Sequence, residues 1–375
     1  MGIRFLQTGD WQLGMTRHYF SDGTQERYSQ ARFDSIRTLG RIAEQEKCQF
    51  MLVCGDVFDS NQVDRKTVLR ALEALKEVQV PVYILPGNHD PLDAATVYDS
   101  GIFLEKASEN LHIIRDRQPF EPVKGLELIG APWLSKRPAA NPASALIDDL
   151  AECKVPRVMA AHGVVDQFTP DKDGPCNIFA AELDAAISTR KLSYVAVGDR
   201  HSATQIGKSG RAWFAGTPEA TDAGEINSGV ALVIDIEADS VEVKEVPVGI
   251  WSFIRRQIDL NSPEDVESFG GWLDGLAGKE TIVLKLDLVG SISLADNAEL
   301  EAQLESARDV FAAVIIDDDN LVAVPDDEDF ADLGFTGYAN RAVDQLRETI
   351  EAAGPDAQMA RDALMLILRL SRSGA

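Results

Sequence analysis

Basic residues are scarce in this chain of 375 residues, which has 36 lysines and arginines against 61 aspartates and glutamates. The formal net charge is −25, and residues 251–375 alone hold 10 basic and 25 acidic side chains. A protein that holds nucleic acid mainly through a broad basic face needs the opposite balance, so the composition argues against that mode of binding. Metal ions or a partner subunit can still supply positive charge locally, which leaves a metal-dependent nuclease open.

Cysteines are few, and long apolar runs are missing. Cys48, Cys54, Cys153 and Cys176 form no CxxC pair, so the sequence predicts neither a structural zinc site nor a disulfide framework. No apolar run approaches the roughly 20 residues of a transmembrane helix. The start of the chain shows no basic segment followed by a long apolar one, so we expect a cytoplasmic protein with no membrane partner.

Two common catalytic signatures are also missing: the sequence has no GxxxxGK[ST] loop to cradle a phosphate and no nucleophile elbow. What it does have is polar residues directly after five short apolar runs. The clearest run, residues 83–85, leads through a Pro-Gly turn into Asn88, His89 and Asp90. The other runs lead to Asp10 and Gln12, to Asp56 and Asp59, to His162, and to Asp199 and His201.

The order of elements predicts an α/β fold over residues 1–247. Residues 1–85 have strand, helix, strand, helix, strand order, and such βαβ crossovers imply parallel pairing. Short strands within residues 203–246 predict an antiparallel meander at the end of this domain. Because ligands bind beyond the carboxyl ends of strands in open α/β sheets, we expect the polar strand ends to meet at one site.

A second part of the chain begins after a boundary near residues 247–250. Its strand and helix patterns predict a small α+β domain over residues 250–325 and two helices within a tail, 330–375. The acidic runs 317–319 and 326–329 are typical of solvated turns or a linker. The final helix, predicted over residues 356–372, has an apolar side that fits an ordinary core or a docking face for a partner helix.

Carboxylates, imidazoles and amides brought together indicate a metal site rather than a nucleophile triad. Two divalent ions that share a bridging carboxylate can activate a water and bind a phosphoryl oxygen. Asp10 or Asp56 alone would more often be a structural loop cap than a ligand. Together at strand ends, the two aspartates favour metal binding.

Five short motifs resemble those of the calcineurin-like metallophosphoesterases. They are Asp10 near the start, Gly-Asp-Val-Phe-Asp at 55–59, Gly-Asn-His-Asp at 87–90, Ala-His-Gly at 161–163 and Gly-x-x-His at 198–201. Their order, with the small domain and helical tail that follow, is similar to the DNA-repair exonuclease branch, which includes the nuclease subunit of the bacterial SbcC–SbcD complex. The resemblance implies a four-layer α/β/β/α sandwich with an α+β capping domain.

The resemblance also implies site residues. One metal would be held by Asp10, Gln12, Asp56 and His201, and a second by Asn88, His162 and Asp199, with Asp56 bridging. His89 would not ligate but would act at the scissile phosphate as a general acid or a cationic stabiliser, oriented by Asp90.

Two positions depart from the family pattern, which usually has histidine where Gln12 and Asp199 stand. If both still ligate, each metal exchanges an imidazole for an oxygen ligand, which favours Mn²⁺, or Mg²⁺, over zinc. The same departures leave open a site that binds one ion, or none.

Candidate substrate contacts are fewer. Arg17, Lys136 and Arg137 are candidates for a substrate phosphate, although each alone is more often a surface charge, and we keep Arg17. Trp133 fits a base-stacking residue or a packed loop aromatic equally well. The resemblance implies DNA as substrate, an SMC-like coiled-coil ATPase subunit as partner, and a homodimer.

Three functions remain open. The first is a Mn²⁺-dependent DNA exo/endonuclease in repair that works with an ATPase. The second is a phosphodiesterase or phosphatase for a nucleotide or another small molecule, which the acidic balance favours and the 250–375 extension disfavours. The third is a non-catalytic, DNA-end-binding scaffold with a degenerate metal site.

Overall fold

The computed structural model describes residues 2–237, 240–324 and 337–352, and nine later positions: 354, 356, 357, 359, 360, 363, 364, 366 and 367. The chain divides into two compact units, Met1–Phe253 and Ile254–Ala375. The predicted boundaries near 247–250 and 325–330 stay predictions. No helix within the described residues is long and apolar enough to cross a membrane.

The first unit contains two sheets and five α-helices among its described residues. In chain order its elements are β1 (Ile3–Thr8), α1 (Asp22–Gln45), β2 (Met51–Cys54), α2 (Arg65–Lys76), β3 (Val82–Leu85), α3 (Gly101–Lys106), β4 (Leu111–Ile113), β5 (Glu127–Gly130), α4 (Pro142–Asp149), β6 (Arg157–His162), α5 (Ala180–Ser188), β7 (Tyr194–Gly198), β8 (Thr204–Gln205), β9 (Ala212–Phe214), β10 (Val230–Ile236) and β11 (Val241–Pro247). Both long helices begin at side-chain N-caps, Ser21 for α1 and Asp64 for α2, which satisfy otherwise unpaired backbone N–H groups.

The two sheets place the predicted strand ends side by side. One sheet has the order β11-β10-β1-β2-β3-β4, and β1 to β4 pair in parallel. The other has the order β5-β6-β7-β9-β8, and β5, β6, β7 and β9 pair in parallel. In the second sheet His162 is level with Gly198, so the loops that follow β6 and β7 start at the same height.

Three apolar cores separate four layers. Because successive side chains of a strand point to opposite faces, Leu6 packs on the helix side and Phe5 on the side of the other sheet. The outer cores contain Leu6, Ile36, Leu39 and Leu72 on one side, and Leu146, Met159 and Leu183 on the other. The inner core joins the sheets through Phe5, Leu52, Leu128 and Val158. The predicted four-layer α/β/β/α sandwich is confirmed.

The predicted meander within residues 203–246 is wrong. β8 and β9 form one antiparallel pair, β10 and β11 form another, and the two pairs belong to different sheets. β9 continues the second sheet in parallel with β7, whereas β10 returns to the first sheet and pairs antiparallel with β1. The short strands are locally antiparallel, as predicted, but the chain crosses between the sheets after β9.

The second unit is a small α+β assembly. Its elements are β12 (Ser252–Leu260), whose first two residues are counted in the first unit, α6 (Pro263–Gly275), β13 (Ile282–Ser293), α7 (Leu294–Val310), β14 (Ala313–Val324) and α8 (Tyr338–Glu351). The strands form one sheet in the order β12-β13-β14, over a core that includes Leu260, Phe269, Leu286 and Leu300.

The acidic run Asp317–Asp319 is not a turn or a linker, because it lies within β14. This strand pairs in parallel with β13 along its length, with one irregularity between Asp287 and Val289, and the three carboxylates are exposed. The second acidic run, 326–329, and most of the predicted final helix lie outside the described residues. Leu364 is buried and packs with Val343 of α8, as an ordinary core residue does.

Candidate metal centre

The loops after β1 and β2 run beside each other and extend the parallel pairing beyond the sheet. Asp10 N donates to Gly55 O at 3.0 Å, and Gln12 N donates to Asp56 O at 2.8 Å. From the second sheet, Asp199 N donates to both carboxylate oxygens of Asp10 at 3.0 Å. These backbone contacts bring four of the predicted site residues together.

The same four residues have unusual backbone conformations. Asp10, Gln12, Asp56 and Asp199 have φ values of 53°, 42°, 53° and 104°, and only two other non-glycine residues in the described chain have positive φ. Such conformations cost of order 1–3 kcal/mol each and persist where the surroundings fix them, which is typical of functional sites. The strain therefore marks this cluster independently of its residue types.

Two motif glycines allow the loops to approach closely. A Cβ on Gly87 would lie 2.2 Å from Asp56 Oδ1, and a Cβ on Gly55 would lie 2.1 Å from His162 Nδ1. Any side chain at either position would displace a predicted ligand. The glycines before Asp56 and Asn88 are thus packing requirements of the centre.

Three histidines have Nδ1 held by an oxygen atom, which leaves Nε2 as the nitrogen that each presents to the centre. His162 Nδ1 lies 2.8 Å from Cys54 O, His89 Nδ1 lies 2.9 Å from Asp59 O, and His201 Nδ1 lies 2.8 Å from Glu225 Oε1. Carbonyl and carboxylate oxygens only accept, so each Nδ1 carries a proton. In His162 and His201, Nε2 is then free to ligate a metal, which is the usual arrangement around a metal-binding imidazole.

The Nε2 atom of His162 lies among oxygen ligands. It is 3.4 Å from Asp56 Oδ1, 3.7 Å from Asp199 Oδ1 and 2.8 Å from the Asn88 amide. If the Asn88 amide oxygen points at His162 Nε2, it faces only acceptors. If the amide nitrogen points there instead, it donates to His162 Nε2 at 2.8 Å and to both Asp56 oxygens at 3.2 Å. A cation among these atoms would make the oxygen-inward orientation favourable.

The donor set fits a divalent cation. Asp10, Asp56 and His162 are buried and offer ligand atoms that lie within 4.8 Å of one another. Gln12 and His201, which are predicted to share an ion with Asp10 and Asp56, also contact each other, with 3.0 Å between their Nε2 atoms. Buried carboxylates need a positive partner, and here a bound ion would supply it.

Electrostatics supports the same conclusion. Burial raises the pKa of Asp10 to about 7, and the nearby charges of Asp56 and Asp199 act in the same direction. Burial alone would lower the pKa of His162, but Asp56, Asp10 and Asp199 raise it well above its ordinary value. Burial would raise the pKa of Asp56, yet His162 and His89 hold it below its usual value. The centre thus favours added positive charge, which a proton or a metal ion can provide.

His89 differs from the other two histidines because its side chain is 44% exposed and its Nε2 lies 4.0 Å from Asp56 Oδ2. The predicted orienting role of Asp90 is wrong. The Asp90 carboxylate is buried and accepts from Gly87 N at 2.8 Å, Phe58 N at 3.1 Å and the Tyr98 hydroxyl at 2.6 Å. It ties the loops after β2 and β3 together, and the Asp59 carbonyl orients His89 instead.

The predicted substrate contacts separate into two groups. Arg17 lies with Gln12, Asp199, Arg200 and His201 around a cleft of about 520 Å³, and its Nη2 donates to Thr221 O at 2.6 Å. Lys136 and Arg137 are exposed and do not line that cleft. Trp133 is buried and donates its indole N–H to His162 O at 2.7 Å, so it packs in its loop and is not available for base stacking.

Sequence reasoning missed Glu225 and Arg32. Glu225 contacts His201, and Arg32 donates from Nη2 to Trp11 O at 2.6 Å, between Asp10 and Gln12. Glu225 lies in a polar turn and Arg32 within an amphipathic helix, where charged residues are ordinary. No sequence pattern distinguishes them from surface charges.

Comparisons with known proteins bear on this centre. The profile of the calcineurin-like phosphoesterase family matches residues 3–216. Among solved structures, TT1561 of Thermus thermophilus is similar to this chain at 12% identity and a TM-score of 0.40, over 65% of this chain and 99% of that one. A dimetal phosphatase from Danio rerio is similar at 13% identity and a TM-score of 0.40, over 66% of this chain and 99% of that one. Purple acid phosphatase PPD1 from Lupinus luteus is similar at 10% identity and a TM-score of 0.37, over 66% of this chain and 52% of that one. The profile spans more than half of the 375 residues and includes every predicted metal ligand. This chain therefore belongs to the calcineurin-like phosphoesterase family.

Proposed function

We propose that this protein is a metal-dependent DNA exo/endonuclease that prefers Mn²⁺ and acts in repair with an SMC-like ATPase. Metal-dependent hydrolysis of phosphoesters follows from family membership. The observation that carries the proposal is the convergence of two carboxylates, an amide and an imidazole at Asp10, Asp56, Asn88 and His162. The choice of DNA depends on the order of the five motifs and on the α+β unit and tail that follow them.

Each predicted ligand has a place in this centre. Asp10, Gln12 and His201 would hold one ion, Asn88, His162 and Asp199 the other, and Asp56 would bridge them. Two bound divalent ions supply an activated water and neutralise charge on the phosphoryl oxygens. The Nδ1 contacts described above hold the imidazoles of His162 and His201 in place, so these two ligands need little rearrangement on binding.

His89 is suited to act on the leaving group. Its Nδ1 is held by the Asp59 carbonyl, while the exposed side chain keeps Nε2 available beside Asp56. A protonated Nε2 would donate to the departing oxygen of the phosphodiester and stabilise its developing charge. Arg17 and Arg200 in the adjacent cleft would hold the backbone of the nucleic acid.

Two oxygen-bearing side chains support the preference for manganese. Gln12 and Asp199 stand where the family usually has histidine, and both lie at the centre, where the Gln12 amide would turn its oxygen, instead of the nitrogen that contacts His201, towards an ion. Oxygen ligands suit Mn²⁺ and Mg²⁺ better than Zn²⁺. The capping role of residues 250–325, the docking role of residues 330–375 and the homodimer stay predictions.

A second function is favoured by the net charge of −25, which repels long polyanions. In that case the same centre would hydrolyse a small nucleotide diester or a phosphomonoester. The chemistry would be unchanged, and only the substrate would differ.

Labelled linear double-stranded DNA and a chromogenic phosphodiester separate these functions. The purified protein is assayed with Mn²⁺, Mg²⁺ or EDTA, with and without the ATPase, beside His89→Ala and Asp56→Ala. His112→Ala is the matched control, because His112 stacks on Tyr83 outside the centre. Cleavage of DNA with Mn²⁺ that both site variants and EDTA abolish supports the nuclease. Hydrolysis of the small diester alone, even with the ATPase present, overturns it in favour of the second function.

A further inference from the structure

A buried carboxylate lies behind His201, on the side away from the centre. Glu225 Oε1 and the Thr221 hydroxyl both lie 2.8 Å from His201 Nδ1. The Glu225 side chain is only 8% exposed, although its loop borders the cleft. Glu225 is not among the residues that the family motifs assign to the centre.

Glu225 is itself fixed in position. Its Oε2 accepts from Thr221 N at 2.9 Å, and the Thr221 hydroxyl donates to Oε1. The next residue, Ile226, donates its backbone N–H to Ser202 Oγ at 3.1 Å, which ties this loop to the segment that carries His201. The carboxylate therefore has little freedom to move away from the imidazole.

This arrangement determines which nitrogen of His201 carries the proton. An ionised carboxylate only accepts hydrogen bonds, so Nδ1 must donate to Glu225, and the lone pair of the neutral ring is left on Nε2. That atom faces Gln12 at 3.0 Å. His162 and His89 achieve the same orientation with the backbone carbonyls of Cys54 and Asp59, so His201 alone among the three depends on a side chain.

We infer that Glu225 is a positioning residue for the metal centre, which holds His201 with Nδ1 protonated and Nε2 directed at the ion. The inference rests on the metal centre of the proposed function but not on the choice of DNA as substrate. Carboxylate partners of this kind raise the basicity of the ligating nitrogen, and their loss typically weakens metal binding by about 10–100-fold.

The isosteric change Glu225→Gln gives the sharpest test. Thr221 N–H needs an acceptor at Oε2, so the new amide places its oxygen there and its NH₂ group against His201 Nδ1. The NH₂ group can only donate, so the proton of His201 should move to Nε2, the nitrogen that would bind the metal. Glu225→Gln should therefore weaken binding at least as much as Glu225→Ala, although it fills the same volume.

The experiment uses the full chain and two readouts. The first is the pair of ¹⁵N shifts of the His201 imidazole in metal-free protein, at a pH where the ring is neutral; only five histidines need to be assigned. The second is Mn²⁺ affinity by calorimetry. Glu182→Gln is the control, because it makes the same change at an exposed carboxylate that accepts from Ser144 outside the centre.

We expect wild type and Glu182→Gln to carry the His201 proton on Nδ1 and to bind Mn²⁺ within about threefold of each other. Glu225→Gln should carry it on Nε2 and bind about 10–100-fold more weakly. Unchanged ¹⁵N shifts and an unchanged affinity in Glu225→Gln would overturn the inference. If Glu225→Ala fails to fold, the isosteric variant still decides. A wild type that binds Mn²⁺ in this way but cleaves no DNA contradicts only the nuclease proposal.

Discussion

Replacing Arg32 with methionine should destabilise the loop that carries Asp10 and Gln12 and so weaken metal binding. Arg32 is 2% exposed, and its Nε and Nη2 donate to Trp11 O at 3.1 and 2.6 Å. Its Nη1 donates to the Tyr28 hydroxyl at 2.8 Å. Trp11 lies between Asp10 and Gln12, which both have positive φ, so this guanidinium holds the peptide that joins two predicted ligands.

The magnitude follows from what Arg32→Met leaves behind. The substitution keeps most of the volume but removes every donor, so the Trp11 carbonyl becomes a buried acceptor without its partner. A buried group left unsatisfied costs about 1–3 kcal/mol, and more when the lost partner is charged. We therefore expect a loss of about 3 kcal/mol in unfolding free energy, together with at least tenfold weaker Mn²⁺ binding.

Arg37→Met on the same helix is the matched control. Arg37 pairs with Asp34 and Glu77, and all three side chains are partly exposed, so its ion pairs should contribute less than about 1 kcal/mol. Urea unfolding and Mn²⁺ calorimetry on both variants provide the comparison. Equal losses of stability in the two variants, or a destabilised Arg32→Met that keeps wild-type Mn²⁺ affinity, would show that Arg32 does not support the metal centre.

Three further predictions address the same region. Burial raises the pKa of Glu219 from 4.5 to about 7, so the folded state keeps its proton where the unfolded state has lost it, and stability falls as pH rises from 4.5 to 7. Urea unfolding between pH 4.5 and 8 should show that the unfolding free energy of wild type falls by about 3 kcal/mol relative to that of Glu219→Gln. Parallel pH profiles of the two proteins would contradict this. Gly87→Ala should weaken Mn²⁺ binding more than tenfold by calorimetry, because its Cβ would lie 2.2 Å from Asp56 Oδ1. Gly101→Ala, whose Cβ would meet no atom within 4 Å, should leave the affinity unchanged. Equal affinities in the two variants would show that Gly87 is not needed for packing at the centre. Mn²⁺ at about 100 times its Kd should stabilise wild type by about 2.7 kcal/mol, which is measured as a higher melting temperature. The melting temperature of Asp56→Ala should not change. An equal increase in both proteins would mean that the ion binds elsewhere.

Local patterns predicted the fold well where burial determined structure. The largely apolar runs before Asp10, Asp56 and Asn88 form buried strands, as expected of parallel strands covered on both faces, and the polar residues after them mark the sheet edge. The meander was wrong because sequence shows that short strands pair but not with which sheet. Asp317 pairs with Asp287 of β13, and Asp318 and Asp319 occupy the irregularity that follows, so the acidic run continues β14 despite the low strand preference of aspartate.

The site was predictable to the extent that its residues follow strands directly. Asp10, Asp56, Asn88, His162, Asp199 and His201 all lie close to a motif glycine or a strand end, and the structure brings them together. Glu225 and Arg32 reach the centre from a loop and from a helix, so only tertiary structure shows their contacts. Asp90 was assigned to His89 because it is adjacent in sequence, whereas its backbone places the carboxylate against Tyr98.

The most direct test of the metal-dependent phosphoesterase is to titrate metal-free protein with Mn²⁺ while following hydrolysis of a chromogenic phosphodiester. Activity should appear as ions bind, reach its maximum at about two ions per chain, and stay absent in Asp56→Ala. Hydrolysis that persists in EDTA, or Mn²⁺ binding that Asp56→Ala leaves intact, would contradict metal-dependent hydrolysis at this centre.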